Sequence, residues 1–334
     1  MSTPPPPSAS TNIDAYADIS DEWYLESDFN GPIRILDIPN SKHISIRGNR
    51  HSMVVDRIDH YRSAGASFIG GEFMTSSSDF LDIRLHVESR LAFGVGIHTK
   101  IVDSGHKVGL RVSGEHGGRA YVYLQGSISN TFTGDVYIDG RFNALVLEKD
   151  DGAISVRGNI TVNDGACLII KRPNQTLSSS VVKVKNSHLE FGNIEMELSN
   201  RFRQLIIEGD SMLSFMHADG KYKYESKRFL YLDDMEIKGR GRLFIEEWQE
   251  GRDFLLVRKD SKGLADALKK LEFKGYDRNN IHLVDYNKEY WEISAAPEPA
   301  TYGAVLGMLG LAVVVVRRRQ RKRHFDTATT GPRR

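Results

Sequence analysis

Three acidic pairs, Asp150-Asp151, Asp233-Asp234 and Glu246-Glu247, are the residues of this chain whose type and spacing most suit a reaction. Cleaving a glycosidic bond takes two carboxyl groups about 5–9.5 Å apart, one of them kept protonated by its surroundings. Adjacent residues on a strand point to opposite faces, so Glu246 and Glu247 are not expected to line one groove. Asp150-Asp151-Gly152 has the chemistry of a turn, where Asp bonds its own backbone. A second cluster is His106, His116 and the loop Ser113-Gly-Glu-His-Gly-Gly-Arg119. Gly117 and Gly118 would let backbone amides approach an anion, but no phosphate-loop spacing accompanies them, and a tight turn explains both. No paired Cys/His spacing and no His-Glu-x-x-His occurs, so neither a metal nor another cofactor is expected. A Gly-x-Ser-x-Gly nucleophile elbow is also missing, and no catalytic residue is assigned. Cys167 is the single cysteine. No intramolecular disulfide can form, and the residue is expected as a small apolar filler in Ala166-Cys-Leu-Ile-Ile170.

The elements that would position these groups are short and repetitive. Between Gly31 and Ile293 the chain alternates apolar and polar residues in runs punctuated by Gly, Asn and Asp. Examples are Ile33–Ile38, His43–Ile46, Leu81–Val87, Ala120–Leu124, Asp135–Ile138, Ala144–Leu147, Ala153–Val156, Asn159–Val162 and Gln204–Ile207. A period of two marks half-buried strands, so the chain is expected to be all-β. Strand starts near 135, 144, 153, 159 and 166 lie only about six to ten residues apart, too close for long crossovers. That spacing fits a solenoid of stacked parallel strands, while a sandwich or jelly roll would also give short strands with frequent turns.

The segment Asn130-Thr-Phe-Thr-Gly134, with the strands at 135–138 and 144–147 and the following Gly158–Ala166, resembles the autotransporter-associated β-strand repeat. This resemblance implies a right-handed parallel β-helix on a cell-surface or adhesin-like protein. The stretch 243–256 and Leu271–Tyr276 are similar to the end region that sits just before a Pro-Glu-Pro signal in such proteins. A stacked β-helix must end without offering a template edge, and Leu264–Leu271, with leucines at 264, 268 and 271, reads as a helical cap. Trp248, Phe254, Phe273, Tyr276 and Trp291 are expected to pack the last turns.

The C-terminus carries an address. Pro297-Glu298-Pro299 precedes an uncharged run, Ala300 to Val316, which stops at Arg317, Arg318, Arg319, Arg321, Lys322 and Arg323. A helix over that run would be about 25 Å long, enough to cross a bilayer when arginines snorkel at one end and Tyr302 sits at the other interface. The basic cluster would hold the carboxyl end in the cytoplasm and leave the rest outside. The order of parts resembles the PEP-CTERM sorting signal of Gram-negative bacteria. It implies that Pro297, Glu298 and Pro299 are recognised by an exosortase-type membrane protease, and that the apolar helix is a transmembrane anchor with a stop-transfer cluster. Met1 to Ser20 shows no basic and apolar leader, and the Pro/Ser-rich opening reads as a linker belonging to something longer.

Charge narrows the partners. The chain has 45 basic and 44 acidic residues, but eight of the basic and one of the acidic lie from Arg317 onward, leaving 37 against 43 before it. A mildly acidic body lacks the basic stripe that nucleic-acid binding needs. Lys221-Tyr-Lys-Tyr224 reads as a solvated strand face.

The expected organisation is a linker over 1–31, a solenoid over 32–240, its cap over 241–295, a sorting signal over 296–323 and a tail over 324–334. The expected function is non-enzymatic: an exported surface or matrix β-helix in contact with the bilayer, the processing protease and extracellular polysaccharide. The alternative is a β-helical polysaccharide lyase or hydrolase delivered by the same signal.

Overall fold

The computed structural model of the protein describes residues 13–15, 22–24, 28–35, 44–61, 65–86, 93–114, 119–150, 152–192, 196–216 and 226–295. Asp151, His116, Lys221–Tyr224, the Pro-Glu-Pro motif, the run from Ala300 to Val316 and the basic cluster lie outside the described residues. The chain winds into an all-β parallel solenoid whose strands stack in three columns. Each turn takes about 25 residues, within the range of repeat architectures.

The alternation seen in the sequence becomes vertical stacks of aliphatic side chains. On the first face Ile58, Ile83, Val112, Ile138, Val162, Val184, Ile207 and Ile237 stand one above another, each paired in register with the next. The second face has a matching stack of Phe68, Ile97, Leu124, Leu147, Ile170, Phe191 and Phe215. All of these side chains are buried. Removing each one from water contributes about 1.5–3 kcal/mol, through contacts within its own turn and with the turns on either side.

The third face is less regular. It begins with short pieces such as Lys100–Ile101, narrows to a single bridge between Val156 and Thr176, and broadens into residues 198–202, 228–232 and Asp253–Arg258. Ala153–Val156, expected as a strand, contributes only that bridge. The Ala153 amide closes a turn on the Asp150 carbonyl, and the Ser155 amide goes to the Gln175 carbonyl, so the backbone there rounds a corner.

Buried polar side chains hold this corner together. Asn130 accepts from the Ile101 amide at 3.0 Å and donates to the Ser155 carbonyl at 2.9 Å. Gln175 accepts from the Lys149 amide and the Ser155 hydroxyl and donates to the Lys149 carbonyl. Asn200 accepts from the Gln175 amide and donates to the Arg172 carbonyl. Each amide side chain therefore ties one turn to another and satisfies backbone groups that water does not reach.

The segment Asn130-Thr-Phe-Thr-Gly134 acquires a physical meaning here. Phe132 is fully buried, and the Thr133 hydroxyl reaches the Asp103 carboxylate at 2.8 Å. Gly134 is held by space: an added Cβ would lie 2.5 Å from the Val108 carbonyl.

The solenoid closes as a cap. The helix is shorter than expected, Leu264–Leu268, and Leu271 instead starts the strand Leu271–Phe273, which pairs with residues 243–245. A turn at Lys269-Lys270 ends the helix, and the Lys270 ammonium caps the carbonyls of Ile237 and Gly239. The helix follows Gly263, whose Cα lies so close to the preceding turn that a Cβ would meet the Met235 carbonyl at 2.1 Å. The hairpin His282–Asp285 and Tyr290–Ser294 then runs antiparallel to Asp253–Arg258, replacing the parallel pattern on the third face. Trp248 packs edge-on against Phe273 and Tyr276, each with centroids 5.2 Å apart, and Phe254 stacks on Phe229 at 4.8 Å. The Lys259 ammonium lies 4.4 Å from the centre of the Trp291 ring. The five aromatic residues singled out from the sequence thus sit in the last turns.

Candidate functional surface

The acidic pairs are dispersed by the fold. Asp233 forms an ion pair with Arg201 at 2.7 Å and accepts from the Tyr290 hydroxyl. Its neighbour Asp234 accepts from the Ser261 hydroxyl and from the amides of Gly263 and Met235, so it serves the turn that launches the cap helix. Glu246 ends its strand in an ion pair with Lys274, whereas Glu247 is exposed at a φ of 57°. Asp150 is exposed in its turn. His106 bonds Thr75, Ser104 and the Ser78 carbonyl, so its ring staples two successive loops. The large depression beside the cap helix, about 600 Å³, is lined by groups already engaged, among them Asp234, Asp266 paired with Lys269, and Lys270. Among the described residues, no group of three His, Cys, Asp or Glu side chains is placed to hold a metal ion.

A different surface gathers uncommitted groups. On the second face Leu145, Leu147, Leu168 and Ile170 point inward, so Ala144, Val146, Cys167 and Ile169 point outward. These outward residues are nevertheless covered. Ala144, Val146 and Ile169 form a cluster flanked by Tyr121, Tyr123 and Cys167. The two tyrosine rings stack with centroids 5.8 Å apart. Tyr121, Ala144, Cys167 and His188 are successive register partners across four turns, three strand spacings or about 14 Å. Small residues in the middle and large ones at the ends make a groove of about 280 Å³.

The rim of this groove is charged and aromatic. Arg119 lies beside the Tyr121 hydroxyl, which, with Glu190 across the floor, holds the guanidinium above its ordinary range. Burial first, and Glu190 second, push the Cys167 thiol well up, so the sulfur forms part of the floor and is a poor nucleophile. That differs from an inward core filler: Cys167 is half-buried on the outer side of the sheet. Arg141 lies 4.6 Å over the Phe142 ring. Phe142 is 38% exposed and adopts a φ of 72°, a left-handed conformation that is uncommon for a bulky side chain. Arg141, Asp164 and His188 make no ion pair or side-chain hydrogen bond with any described residue. Elsewhere on the wall, lateral pairs such as Lys100–Glu72, Lys183–Glu208 and Arg242–Asp210 neutralise charges between turns.

None of these groove residues follows from a local motif. Tyr121-x-Tyr123 marks an outward aromatic row, but its partners arrive from segments some 20 residues apart, joined by register alone. No helix among the described residues is long and apolar enough to cross a membrane. No protein-family model, curated protein or solved structure matches the chain.

Proposed function

We propose that the protein is an exported β-solenoid that acts as a rigid, non-enzymatic wall at the cell surface, tethered by its C-terminal segment and in contact with extracellular polysaccharide. The observation that carries this reading is the engagement of the Asp233-Asp234 pair. One carboxylate is held by Arg201 and the other by the cap turn, which leaves no two carboxyl groups of that pair facing one substrate. A glycoside hydrolase of the usual kind needs such a facing pair. What remains is an extended surface supported by a stack of rigid turns, suited to presentation and adhesion.

The finer parts of the reading rest on the sequence. Parallel crossovers favour a right-handed winding. Pro297, Glu298 and Pro299 are the motif for the exosortase-type protease, Ala300 to Val316 the transmembrane helix, and Arg317 to Arg323 the stop-transfer cluster, with the solenoid outside. The test is to express the full chain behind an added export leader in a host with an exosortase. The product is expected in the membrane fraction, shortened at its C-terminus, with a reporter placed after Arg323 active only in the cytoplasm. A fully soluble, unshortened product would overturn the tether. Depletion of polyuronides by the purified protein, abolished by Asp233→Asn, would overturn the non-enzymatic role.

A further inference from the structure

We infer that the groove on the second face is a binding site for a neutral pyranose unit of a glycan. The inference gives the proposed polysaccharide contact a location and a ligand class, and it rests on that reading. Its support is a combination of features that meet in this part of the wall. A sugar ring has an apolar face of axial C–H groups and an equatorial belt of hydroxyls. It therefore fits a site with aromatic walls, an apolar floor and a rim of unpaired polar groups. Tyr121 and Phe142 supply the rings, and Ala144 and Cys167 the floor. Arg141, Asp164 and His188 supply donors and acceptors that no described protein group uses. A volume of about 280 Å³ and a span of about 14 Å accommodate one or two pyranose rings.

Charge selects the neutral class. The two guanidiniums, Arg119 and Arg141, are matched by two carboxylates, Asp164 and Glu190, so the groove offers no net attraction for a uronate or a phosphate. Phe142 strengthens the case. One turn later the equivalent place is taken by Gly165, for which a φ of 81° is unstrained, whereas the phenyl ring is held there against its backbone preference. A glycine at 142 would serve the turn equally well; the phenylalanine instead places a ring under the Arg141 guanidinium at the edge of the groove.

The lone cysteine provides the readout, because an occupied groove shields its floor. The full-length chain is kept in a detergent without sugar headgroups. It is exposed to methyl glucoside, galactoside and mannoside and to their β-linked disaccharides at about 50 mM, well above a millimolar dissociation constant. At least one neutral sugar is expected to slow alkylation of Cys167 and to show saturation transfer from the protein to its axial protons. Tyr121→Ala and Phe142→Gly are each expected to weaken that binding about tenfold, and Phe142→Gly to do so with the melting temperature unchanged or raised. Folding damage therefore cannot mimic the result. Failure of every neutral sugar to protect Cys167, retention of protection in both variants, or stronger protection by methyl glucuronide or inorganic phosphate would each overturn the inference. Membrane partition of the same samples reads the tether separately, so the loss of one leaves the other measurable.

Discussion

Asp103 sits where one turn hands over to the next, accepting from the Val108 amide at 2.9 Å, the Thr133 amide at 3.0 Å and the Thr133 hydroxyl. Partial burial pushes its pKa up, but these three donors outweigh it and hold the carboxyl below the usual carboxylate range. A depressed folded-state pKa gives stability that is present above about pH 4 and is lost as pH falls through the folded value. Asp103→Ala is expected to cost about 1–3 kcal/mol in urea unfolding at pH 7, with the difference from wild type shrinking on acidification. Lys149 is the opposite case. It points inward with Leu145 and Leu147, its ammonium donating to the Gln125 carbonyl at 2.9 Å, and burial lowers its pKa to about 8 from the ordinary 10.5. Between those values the unfolded chain holds a proton that the folded one has released, so folding stability rises with pH across that window, by up to about 3 kcal/mol. In Lys149→Met this rise should be missing when unfolding is followed from pH 8 to 10. Nothing local to Asp103 in the sequence shows that its second partner is thirty positions on. The inward lysine breaks the apolar alternation that makes its strand recognisable.

At the scale of elements, the two regular faces were legible because their residues repeat with period two, as in Ala120–Leu124 and Ala144–Leu147. The third face was not. Pieces such as Lys100–Ile101 and the Val156–Thr176 bridge are too short to alternate, and their buried positions are filled by Asn130, Gln175 and Asn200, which read as loop residues. The cap helix was legible by its leucines but ends early, because Lys270 bonds carbonyls of the turn beneath. Asn130-Thr-Phe-Thr-Gly134 combines both kinds of signal, and its glycine gives a sharp test. Gly134→Ala forces a methyl group against the Val108 backbone, and Gly158 repeats the same close approach to Gly134 one turn later. The variant should lose several kcal/mol in thermal or urea unfolding, since the obstruction is main chain that cannot rotate away. Ala at Gly152, which has open space within 4 Å but a φ of 82°, should cost only about 1 kcal/mol. Comparison of the two separates crowding from backbone strain.

For the molecule as a whole, the proposed function divides between the described solenoid and the sequence that follows it. The proposed tether rests on composition and order alone: an apolar run, a preceding Pro-Glu-Pro and a basic stop. The groove was invisible for the converse reason, since Arg119, Phe142, Asp164 and His188 become neighbours only after four turns have stacked in register. A further consequence follows from the way Val136 lies under Ile160 and Ile160 under Val182. Because each coil meets only the one above and the one below, the molecule can be edited like a ruler. Duplicating residues 136–159 repeats one complete circuit with its Gly, Asp and aliphatic positions intact. The product should remain monomeric and cooperative, and small-angle scattering should find it longer by about 4.8 Å, the spacing of one added strand. The length of the wall would then be a quantity set by gene length, changed in whole steps without redesign of the rest.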